Sequence, residues 1–454
     1  MNSKLTVVSN RLPYYQNKEG QWIRAAGGLI NAVEPIVIDT GGTWIGWDGG
    51  ASEKFTEYQV NTLCEETANH PDAYKINCVP LSADEVSLFY DHFCNETLWA
   101  LFHYFFEKCS IQDRAWKMYQ KINERFANSI VRSASKGETV WIHDYHLMLV
   151  PYYLKKMRPE LDIHFFLHIP FPHVDIFSIL PWGRELISSL LQCHSVGFHH
   201  PDYLANFTGA IERLQVEKTD CQLFTNPISI DFKLFDSTSK KDTVQQHCAE
   251  FKESMGHKQI ILGVDRIDYS KGIKERLKAI ERLLQTRPDL RGTFVFYQLT
   301  VPSRENVETY QELKKEIDEL VGRINGTYAT DRWSPVHYNY GTKPFEQLVA
   351  LYLASDIGLV TPLRDGMNLV CKEFIASHSD EKGILILSKF AGAISEIEDC
   401  LAINPYSIEE IKDSIVKALE MSDIERSFRM NTMRNSICSH DIHQWWKDCS
   451  QYFK

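Results

Sequence analysis

The sequence predicts an α/β protein built from two doubly wound, Rossmann-like domains that face each other across a cleft. Short apolar runs alternate with helical patterns along the chain, which is typical of a parallel sheet with helices on both faces. This alternation begins again after residue 257, as expected for a second unit of the same kind. A chain of 454 residues also exceeds the usual size of a single hydrophobic core.

Charge and composition narrow the class of protein. The formal net charge of −11 argues against nucleic acid or an anionic membrane as a partner, because both select for basic surfaces. No apolar run reaches the roughly 18 residues that span a bilayer, and the N-terminus lacks a signal-peptide pattern, so we expect a cytoplasmic protein. The 11 cysteines include no Cys-x-x-Cys pair. We therefore expect reduced thiols rather than a metal knuckle or a disulfide framework.

Strands of the first half are predicted where short apolar runs stop at polar residues. The predicted elements are a strand at residues 5–9, a helix at 30–37, a glycine- and tryptophan-rich strand within 41–50, paired strands within 56–81, a helical region at 82–134, and strands at 139–142, 163–167 and 195–198. Aromatic residues of the helical region, including Tyr90 and Trp99, have the density of a hydrophobic core. The pair Gly27 and Gly28 either turns the chain or lets its backbone approach a ligand.

Polar side chains follow several of these strands at the point where each strand ends. Arg11 follows the first strand, Asp144 and His146 follow strand 139–142, and His168 follows strand 163–167. The carboxyl ends of strands are the usual ligand positions in open α/β sheets. A single histidine is most often a structural group. Two consecutive strands that end in histidines or acids favour a binding site.

The second half repeats the strand-helix pattern more regularly. Its predicted strands lie at 260–264, 293–299, near 336, at 357–360 and at 384–387, and its predicted helices start near 272, 306, 345 and 368. Residues 236–257 are polar and charged, so we predict a linker there. The predicted domains are residues 1–232 and 233–435. Residues 436–454 are expected to form one amphipathic helix that packs back on the first domain.

The stretch from Thr361 to Glu373 is the strongest candidate for a binding site. A predicted strand leads through an Arg-Asp-Gly turn into a helix that opens at Asn368. Unpaired backbone N–H groups and the positive end of the helix dipole suit a diphosphate. Glu373, one turn into the helix, can accept hydrogen bonds from two ribose hydroxyls. The alternative is an ordinary strand-loop-helix connection with a solvated acid.

Two cations mark a second strand-loop-helix connection. Arg266 and Lys271 lie between a predicted strand and a predicted helix, where they and the helix dipole converge on one point. Such an environment stabilises a departing diphosphate. Alternatively, either cation pairs with Asp265 or Asp268 at the surface. The chain contains no Asp-x-Asp motif, so we predict that the reaction uses no metal.

Two further arginines suggest a second phosphate. Arg11 ends the first strand of the first half, and Arg304 follows a strand of the second half. If both sheets point their carboxyl ends into one cleft, the two guanidiniums approach a phosphate from opposite sides, a task that suits their planar donors. Closure of the cleft would then depend on the bound acceptor.

A series of motifs occurs in order along the chain. They are Asn10-Arg-Leu-Pro13, Gly27-Gly-Leu29, Tyr90 with Trp99, Trp141-Ile-His-Asp-Tyr-His146, His168-Ile-Pro-Phe-Pro172, Asp265-Arg-Ile-Asp-Tyr-Ser-Lys-Gly272, Pro302-Ser-Arg304, Gly322-Arg-Ile-Asn-Gly326 and Thr361 to Glu373. Together these motifs resemble the trehalose-6-phosphate synthase family, from about residue 7 to residue 404.

The resemblance implies the GT-B glycosyltransferase fold and the transfer of glucose from UDP-glucose to glucose 6-phosphate, with retention of the α configuration and without a cofactor. It also implies a role for each residue in a motif. Those roles are diphosphate binding by Arg266 and Lys271, ribose binding by Glu373, nucleotide contacts from Asn368, Leu369 and Val370, a mobile loop at Gly27 and Gly28, contacts to the transferred glucose from Asp365 and His168, acceptor-phosphate binding by Arg11, Tyr90 and Arg304, and an acceptor pocket shaped by Trp47, Trp99 and Asp144. Catalysis is expected from His168, Arg266, Lys271 and Asp365.

The motifs require no carboxylate nucleophile of the kind found in retaining glycosidases. The resemblance instead implies front-face transfer, in which the leaving diphosphate oxygen takes the proton of the acceptor. Ser229 stands where the family usually has glycine, and the segment 215–224 is shorter than the corresponding segment of the family. Donor preference among UDP-, GDP- and ADP-glucose is therefore open. Two alternatives are a related enzyme that glucosylates glycerol 3-phosphate and a non-catalytic regulatory subunit. Expected protein partners are a second copy of the chain or a trehalose-phosphate phosphatase.

Overall fold

The structure is a computed structural model that describes residues 5–16, 22–24, 28–51, 56–59, 74–304 and 307–453. These residues fall into two compact units. The first contains the chain up to Ile228 together with the segment from Gln444, and the second runs from Ser229 to His443. The units therefore divide at 228/229 and 443/444, where the sequence predicted 232/233 and 435/436. None of the described helices combines the length and apolarity needed to cross a bilayer.

The first unit contains a large, mostly parallel sheet. The strands of this unit are β1 (Leu5–Arg11), β2 (Tyr14–Gln16), β3 (Trp22–Arg24), β4 (Thr43–Trp47), β5 (Thr56–Gln59), β6 (Lys75–Cys78), β7 (Thr139–His143), β8 (Asp162–Phe166), β9 (Ser195–Phe198) and β10 (Gln222–Thr225). In the described part of the chain the sheet order is β10-β9-β8-β7-β1-β4-β6-β5, and β2 pairs with β3 in a separate hairpin. Strands β7 to β9 are buried along their whole length. Strands buried on both faces give continuous apolar runs, which is why the sequence revealed them.

Helices cover this sheet. They are Gly28–Thr40, Ala83–Glu85, Val86–Trp99, Ala100–Phe102, Phe106–Lys108, Asp113–Ser133, Tyr145–Leu147, Val150–Met157, Val174–Phe177, Gly183–Leu190, Pro201–Arg213 and Ile442–Ser450. The predicted helical region begins with a capping box between Ser82 and Glu85. The segment Val86–Trp99 is a π-helix, a wide form often found at functional sites. It carries both Tyr90 and Trp99.

The last part of the chain differs from the single helix predicted at 436–454. One helix, Asp423–Ser439, ends in the second unit, and a new helix, Ile442–Ser450, follows. The break occurs at His440, whose backbone leaves the helical region with φ −127° and ψ 61°. The side chain of Asp441 then accepts a hydrogen bond from the backbone N–H of His443 at 3.0 Å and caps the next helix.

The final helix packs on the first sheet through an aromatic cluster. The buried Trp445 ring lies 5.2 Å from Trp141 on β7, and Trp446 lies 5.3 Å from the same ring. Asn226 donates a hydrogen bond to the Trp445 carbonyl at 2.9 Å and accepts one from the indole N–H through its own carbonyl at 3.2 Å. The C-terminal segment is thereby part of the core of the first unit.

The second unit contains a fully parallel sheet. Its strands are β11 (Gln259–Arg266), β12 (Phe294–Val301), β13 (Val336–Tyr340), β14 (Ile357–Val360), β15 (Ile384–Ser388) and β16 (Leu401–Ile403), in the order β13-β12-β11-β14-β15-β16. Its helices are Phe232–Ser239, Asp242–Ser254, Tyr269–Lys271, Ile273–Thr286, Pro288–Leu290, Glu308–Tyr328, Phe345–Ala354, Leu369–Ser377, Gly392–Ser395, Ile408–Leu419 and Asp423–Ser439. The predicted strand-helix alternation is confirmed.

The predicted linker at 236–257 is wrong. Residues Phe232–Ser239 and Asp242–Ser254 are helices. Asp231 caps the first by accepting a hydrogen bond from the Leu234 N–H at 2.9 Å. The second buries Val244 and Cys248 and exposes its many charged residues, so its apolar stripe was too narrow to stand out from the polar composition.

In the described part of each sheet, the strand order reverses at the strand that comes first in the unit. In the first unit, β1 lies between β4 and β7, and in the second unit β11 lies between β12 and β14. Such a position is called the switch point of the sheet, and open α/β sheets bind ligands there, beyond the carboxyl ends of the strands. The segments that follow these strands are therefore the places to look for a site in each unit.

Candidate functional site

In the first unit, Arg11 and Trp47 meet at the carboxyl ends of β1 and β4. The Arg11 guanidinium carbon lies 4.4 Å from the centroid of the Trp47 ring, a cation–π contact that fixes the position of the charge. Gly49 borders the same guanidinium so closely that a Cβ there would lie 2.1 Å from Nη1 of Arg11. The sequence predicted both Arg11 and Trp47, and the structure brings them together.

A chain of aromatic contacts extends from this pair. The Tyr90 ring packs edge-on against Trp47 with centroids 5.4 Å apart and stacks on His146 at 6.0 Å. Tyr145 lies 3.9 Å from His146 and 5.9 Å from Trp99. The predicted acceptor residues Trp47, Tyr90 and Trp99 thus belong to one connected aromatic cluster, and His146 and Tyr145 join its two ends.

Asp144 is held in a strained backbone conformation beside this cluster. Its φ of 74° and ψ of 166° fall in a region that residues other than glycine rarely occupy. Its backbone N–H donates to the Phe166 carbonyl at 2.8 Å, and its Oδ1 accepts from the backbone N–H of His168 at 3.2 Å. These bonds join the ends of β7 and β8, and strain of this kind collects at functional sites.

His168, which is partly exposed, forms a pair with the buried His143. The two rings share a hydrogen bond of 3.0 Å between Nε2 of His168 and Nδ1 of His143. Burial lowers the pKa of His168 to about 3. Burial, together with the neighbouring His168, lowers the pKa of His143 well below its usual value. Both imidazoles are therefore neutral near pH 7, and His168 can contact a hydroxyl without carrying charge.

The lowered pKa of His168 predicts a pH-dependent stability. In the unfolded chain, His168 takes up a proton as the pH falls below about 6.5, whereas in the folded protein it does so only near pH 3. The free energy of unfolding therefore decreases as the pH falls through this range. We expect the wild-type protein to lose about 2 kcal/mol more than His168→Gln between pH 7 and pH 5. Urea unfolding at both pH values measures the difference. His443→Gln, which changes an exposed histidine, should behave as wild type, and equal losses in all three proteins would contradict the prediction.

In the second unit, Lys271 and Asp365 lie at the point where strand order reverses. The Lys271 ammonium is 2.5 Å from Oδ2 of Asp365, and each side chain is 11% exposed. Asn368 donates a hydrogen bond to the same carboxylate oxygen at 3.0 Å. The sequence placed these residues in one site but did not predict that they pair. Lys271 therefore does not follow the alternative of pairing with Asp265 or Asp268.

The loops that carry these residues are in direct contact. Gly272 has a positive φ of 66°, and a Cβ there would lie 2.1 Å from the Thr361 carbonyl oxygen. The backbone N–H of Leu363 donates to the Ser270 carbonyl at 2.7 Å. Only glycine permits so close an approach at position 272. The segments after β11 and β14 thus form one continuous surface.

The predicted helix opens at this surface. It spans Leu369–Ser377, and Asn368 is its N-cap, with a φ of 79° and a side chain that accepts from the Cys371 N–H at 3.2 Å. The backbone N–H groups of Leu369 and Val370 fall in the first turn, where a helix offers no internal acceptor. This is the geometry that favours an anion.

Glu373 lies one turn further along this helix. It accepts a hydrogen bond of 2.7 Å from the Tyr352 hydroxyl. Burial raises the pKa of Glu373, and the Tyr352 hydroxyl partly opposes this. The hydrogen bond leaves carboxylate acceptor capacity for a ligand, because a carboxylate has about four lone-pair positions.

Three cations converge on Asp268. The Arg304 guanidinium lies 3.1 Å from Oδ2 of Asp268, with both side chains almost fully buried, and it also contacts the Tyr310 hydroxyl. Burial opposes ionisation of Asp268, but the charges of Arg304, Arg266 and Lys271 outweigh it and lower the pKa. Arg266 itself is exposed at the end of β11. The predicted cations of the second unit therefore share one neighbourhood.

The sequence did not lead us to predict Arg276, a buried residue whose side chain holds several residues of this cluster in place. Its fully buried guanidinium lies 2.7 Å from Asp265 and donates to Oγ1 of Thr361 at 2.8 Å, to Oε1 of Gln298 at 3.1 Å and to the Lys271 carbonyl at 2.9 Å. One side chain thus connects β11, the middle of β12 and the residue that follows β14. The signal was an arginine on the apolar face of a helix, three residues after Ile273 and four before Ile280.

Replacing Arg276 is expected to destabilise the second unit. Arg276→Met leaves the buried Asp265 carboxylate without its cation, and breaking a buried pair in this way costs about 3–5 kcal/mol. Urea unfolding of the two proteins measures the loss. Arg282→Met is the control, because Arg282 is on the same helix and its pair with Glu409 is exposed, so it should cost no more than about 1 kcal/mol. Equal losses of unfolding free energy in the two variants would show that the buried Arg276–Asp265 pair contributes no more to stability than the exposed pair.

The two clusters differ in the ligand that each suits. The first combines one guanidinium with aromatic rings, a carboxylate and a neutral imidazole, which suits a phosphorylated compound rich in hydroxyls. The second combines several cations, a helix N-terminus and a half-buried carboxylate, which suits a diphosphate attached to a ribose. Gly28 begins the first helix, and the predicted Gly27 lies outside the described residues.

Two doubly wound units with these strand-end clusters define an α/β glycosyltransferase of the GT-B class. The chain belongs to glycosyltransferase family 20, whose family model matches residues 3–454. A trehalose-6-phosphate synthase from Mycobacterium marinum is 40% identical over 468 residues, covering 98% of this chain and 92% of that protein.

Solved structures give the same result. A trehalose-6-phosphate synthase structure from E. coli, described as bound with UDP-2-fluoro glucose, is 31% identical with a TM-score of 0.89 and covers 99% of both chains. A UDP-forming α,α-trehalose-phosphate synthase from Burkholderia xenovorans, in complex with glucose-6-phosphate, is 29% identical with a TM-score of 0.90 and also covers 99% of both chains.

Proposed function

We propose that this chain transfers glucose from UDP-glucose to glucose 6-phosphate, giving α,α-trehalose 6-phosphate and UDP. One observation carries the proposal. The residues that the resemblance assigns to the donor phosphates and sugar, Lys271, Asp365 and Asn368, are in direct contact at the switch point of the second sheet. A 40% identical trehalose-6-phosphate synthase, and solved structures in complex with glucose-6-phosphate or with UDP-2-fluoro glucose, support the same reaction.

The donor is assigned to the second unit. Arg266 and Lys271 neutralise the diphosphate, the N–H groups of Leu369 and Val370 contact the nucleotide, and Glu373 accepts from the ribose hydroxyls. Asn368 supports this arrangement by bonding Asp365 and by capping the helix. Gly27, together with Gly28 at the start of the first helix, is assigned to a segment that contacts the donor.

The acceptor is assigned mainly to the first unit. Arg11 and Tyr90 bind its phosphate, while Trp47, Trp99 and Asp144 shape the pocket for its sugar ring. The contact of Arg11 with the Trp47 ring supports this role, because it presents the guanidinium in a fixed orientation. We assign Arg304 of the second unit to the same phosphate, for which its charge would have to compete with Asp268.

The proposed chemistry breaks the bond between the anomeric carbon of glucose and the β-phosphate oxygen of UDP. The anomeric hydroxyl oxygen of glucose 6-phosphate attacks from the same face, and its proton passes to the departing phosphate oxygen. Negative charge develops on that oxygen, so Arg266 and Lys271 provide the main stabilisation. Asp365 and the neutral His168 hold hydroxyls of the transferred glucose, which positions the anomeric carbon.

Purified protein tests the proposal directly. UDP-, GDP- and ADP-glucose are each supplied with glucose 6-phosphate or with glycerol 3-phosphate, and nucleotide release and the anomeric NMR signals of the product are recorded. We expect the highest rate with UDP-glucose and glucose 6-phosphate. Faster reaction with glycerol 3-phosphate would identify the related glucosyltransferase activity, and no release with any pair would identify a non-catalytic subunit.

We also propose that the transfer needs no metal ion, because the cations Arg266 and Lys271 are assigned to the diphosphate of the donor. The rate should be unchanged after treatment with a chelator. A rate that falls on chelation and returns with a divalent ion would overturn this part. The product keeps its phosphate. Hydrolysis of a sugar phosphate is therefore the class of reaction that would act on this product next.

A further inference from the structure

The π-helix Val86–Trp99 turns two predicted acceptor residues, Tyr90 and Trp99, to the same side of the chain. A π-helix closes its hydrogen bonds over five residues and makes one turn in about 4.4 residues, whereas an α-helix makes one turn in about 3.6 residues. Tyr90 and Trp99 are nine residues apart. This spacing is about two full turns of a π-helix but about two and a half turns of an α-helix, which would turn the two side chains to opposite sides.

We propose that Asn95 is a positioning residue that holds this π-helical register, and that the register turns Tyr90 and Trp99 towards one acceptor molecule. The inference deepens the proposed function and rests on it for the identity of the acceptor. Both rings belong to the aromatic cluster of the first unit, where Tyr145 and His146 lie between them. Asn95 itself lies on the helix between the two acceptor residues.

Asn95 connects the backbone of the helix to the aromatic cluster. Its side-chain N–H donates a hydrogen bond to the Tyr90 carbonyl at 2.8 Å, and this bond spans five residues, as the backbone bonds of a π-helix do. Its side-chain oxygen accepts a hydrogen bond from the Tyr145 hydroxyl at 3.2 Å. Asn95 is 2% exposed, so water cannot replace either bond when the side chain is removed. One amide thus fixes both the helix register and the neighbouring ring.

A second side chain and the loop that follows the helix favour the same register. Oγ1 of Thr97 lies 3.5 Å from the His92 carbonyl oxygen, again five residues earlier, and donates a hydrogen bond to the Ser110 carbonyl. The backbone N–H of Ser110 donates to the Glu96 carbonyl at 3.0 Å. Long runs of π-helix are rare, so we expect such bonds to be needed to maintain one.

Steady-state kinetics of Asn95→Leu tests the role in acceptor binding. Leucine has a similar volume but makes neither hydrogen bond. We therefore expect the KM for glucose 6-phosphate to rise at least about tenfold, while the KM for UDP-glucose stays within about twofold. Tyr145→Phe removes only the hydroxyl that bonds Asn95, and it should raise the same KM by a smaller factor. If Asn95→Leu does not fold, as judged by circular dichroism, Tyr145→Phe decides the outcome.

The matched control is His92→Ala. His92 is on the same helix, is 34% exposed and pairs with Glu96, so its loss should leave the KM for glucose 6-phosphate within about twofold. In an α-helix, His92 rather than Tyr90 would share the side of Trp99, because seven residues make about two α turns. A larger effect of His92→Ala than of Asn95→Leu, or an equal rise of both KM values in Asn95→Leu, would overturn the proposal.

Nickel binding tests the register without any substrate. Ser87→His places a second imidazole five residues before His92, and both positions are partly exposed. Five residues turn through about 50° in a π-helix but about 140° in an α-helix, so only the π-helix lets the two imidazoles hold one Ni²⁺ ion. By calorimetry, we expect Ser87→His to bind Ni²⁺ at least about tenfold more tightly than the wild type, and we expect the added Asn95→Leu substitution to remove this gain.

The nickel result separates this inference from the proposed function. A gain in nickel affinity that depends on Asn95, in a protein that transfers no glucose, would contradict the proposed function and support the role of Asn95 in the helix. No gain in Ser87→His, or a gain that persists in the double variant, would overturn that role even in a protein that makes trehalose 6-phosphate.

Discussion

Lys271→Ala is expected to lower kcat at least about 100-fold, the scale for loss of one well-placed electrostatic group in a catalytic site. The ammonium lies at the switch point of the second sheet, half a turn before a helix, in contact with Asp365. It is 11% exposed, so solvent screens its charge poorly. If it stabilises the departing diphosphate, its loss affects the transition state more than the bound donor. Steady-state kinetics with both substrates saturating measures the change.

The matched control is Lys274→Ala. Lys274 stands three residues further along the chain and pairs with Glu316 at the surface, so its removal should leave kcat within about twofold. Circular dichroism and urea unfolding show whether Lys271→Ala remains folded. Near-normal turnover of a folded Lys271→Ala protein would remove the main electrostatic element of the proposed mechanism.

Arg11→Met is expected to raise the KM for glucose 6-phosphate about 10- to 100-fold, with a smaller effect on the KM for UDP-glucose. The guanidinium lies on the Trp47 ring at the carboxyl end of β1, where methionine can occupy similar volume but cannot bind a phosphate. The KM for glucose, which lacks the phosphate, should differ little between the wild type and the variant. Kinetics with both acceptors therefore separates phosphate binding from sugar binding.

A second substitution tests the same contact without changing Arg11. Gly49→Ala places a Cβ within 2.1 Å of Nη1 of Arg11 and strains a backbone with φ 93°, so the guanidinium must move. We expect it to raise the acceptor KM in the same direction as Arg11→Met. Arg184→Met, at an exposed position of the same unit, should have no such effect. If Arg11→Met leaves the acceptor KM unchanged, the phosphate is bound elsewhere.

The sequence predicted the sheets because their strands are buried on both faces and appear as uninterrupted apolar runs. Strands β9 and β14 and the helix Phe345–Ala354 coincide with the predicted elements. It failed at 236–257, where a narrow buried stripe with Val244 and Cys248 was hidden among charges. It also failed at the last helix, where the side chain of Asp441 starts a new helix.

The candidate site was predicted residue by residue, but its internal pairing was not. Motif positions identify Lys271 and Asp365, yet nothing in their spacing of 94 residues indicates an ion pair. The same holds for Arg304 with Asp268. Arg276 was missed because a buried arginine is recognisable only when the apolar face of its helix is known. Pairing between distant residues is a property of strand order, which a single sequence does not specify.

The strained backbone of Asp144 has a consequence for anyone who evolves this protein towards heat resistance. Glycine adopts φ 74° and ψ 166° without penalty, whereas aspartate pays about 1–3 kcal/mol to stay there. Selection for a higher melting temperature alone would therefore favour glycine at position 144, and a thermostable library would accumulate folded molecules that lack this carboxylate. At this single codon, selection for heat tolerance would then favour glycine, whereas sugar recognition would require aspartate.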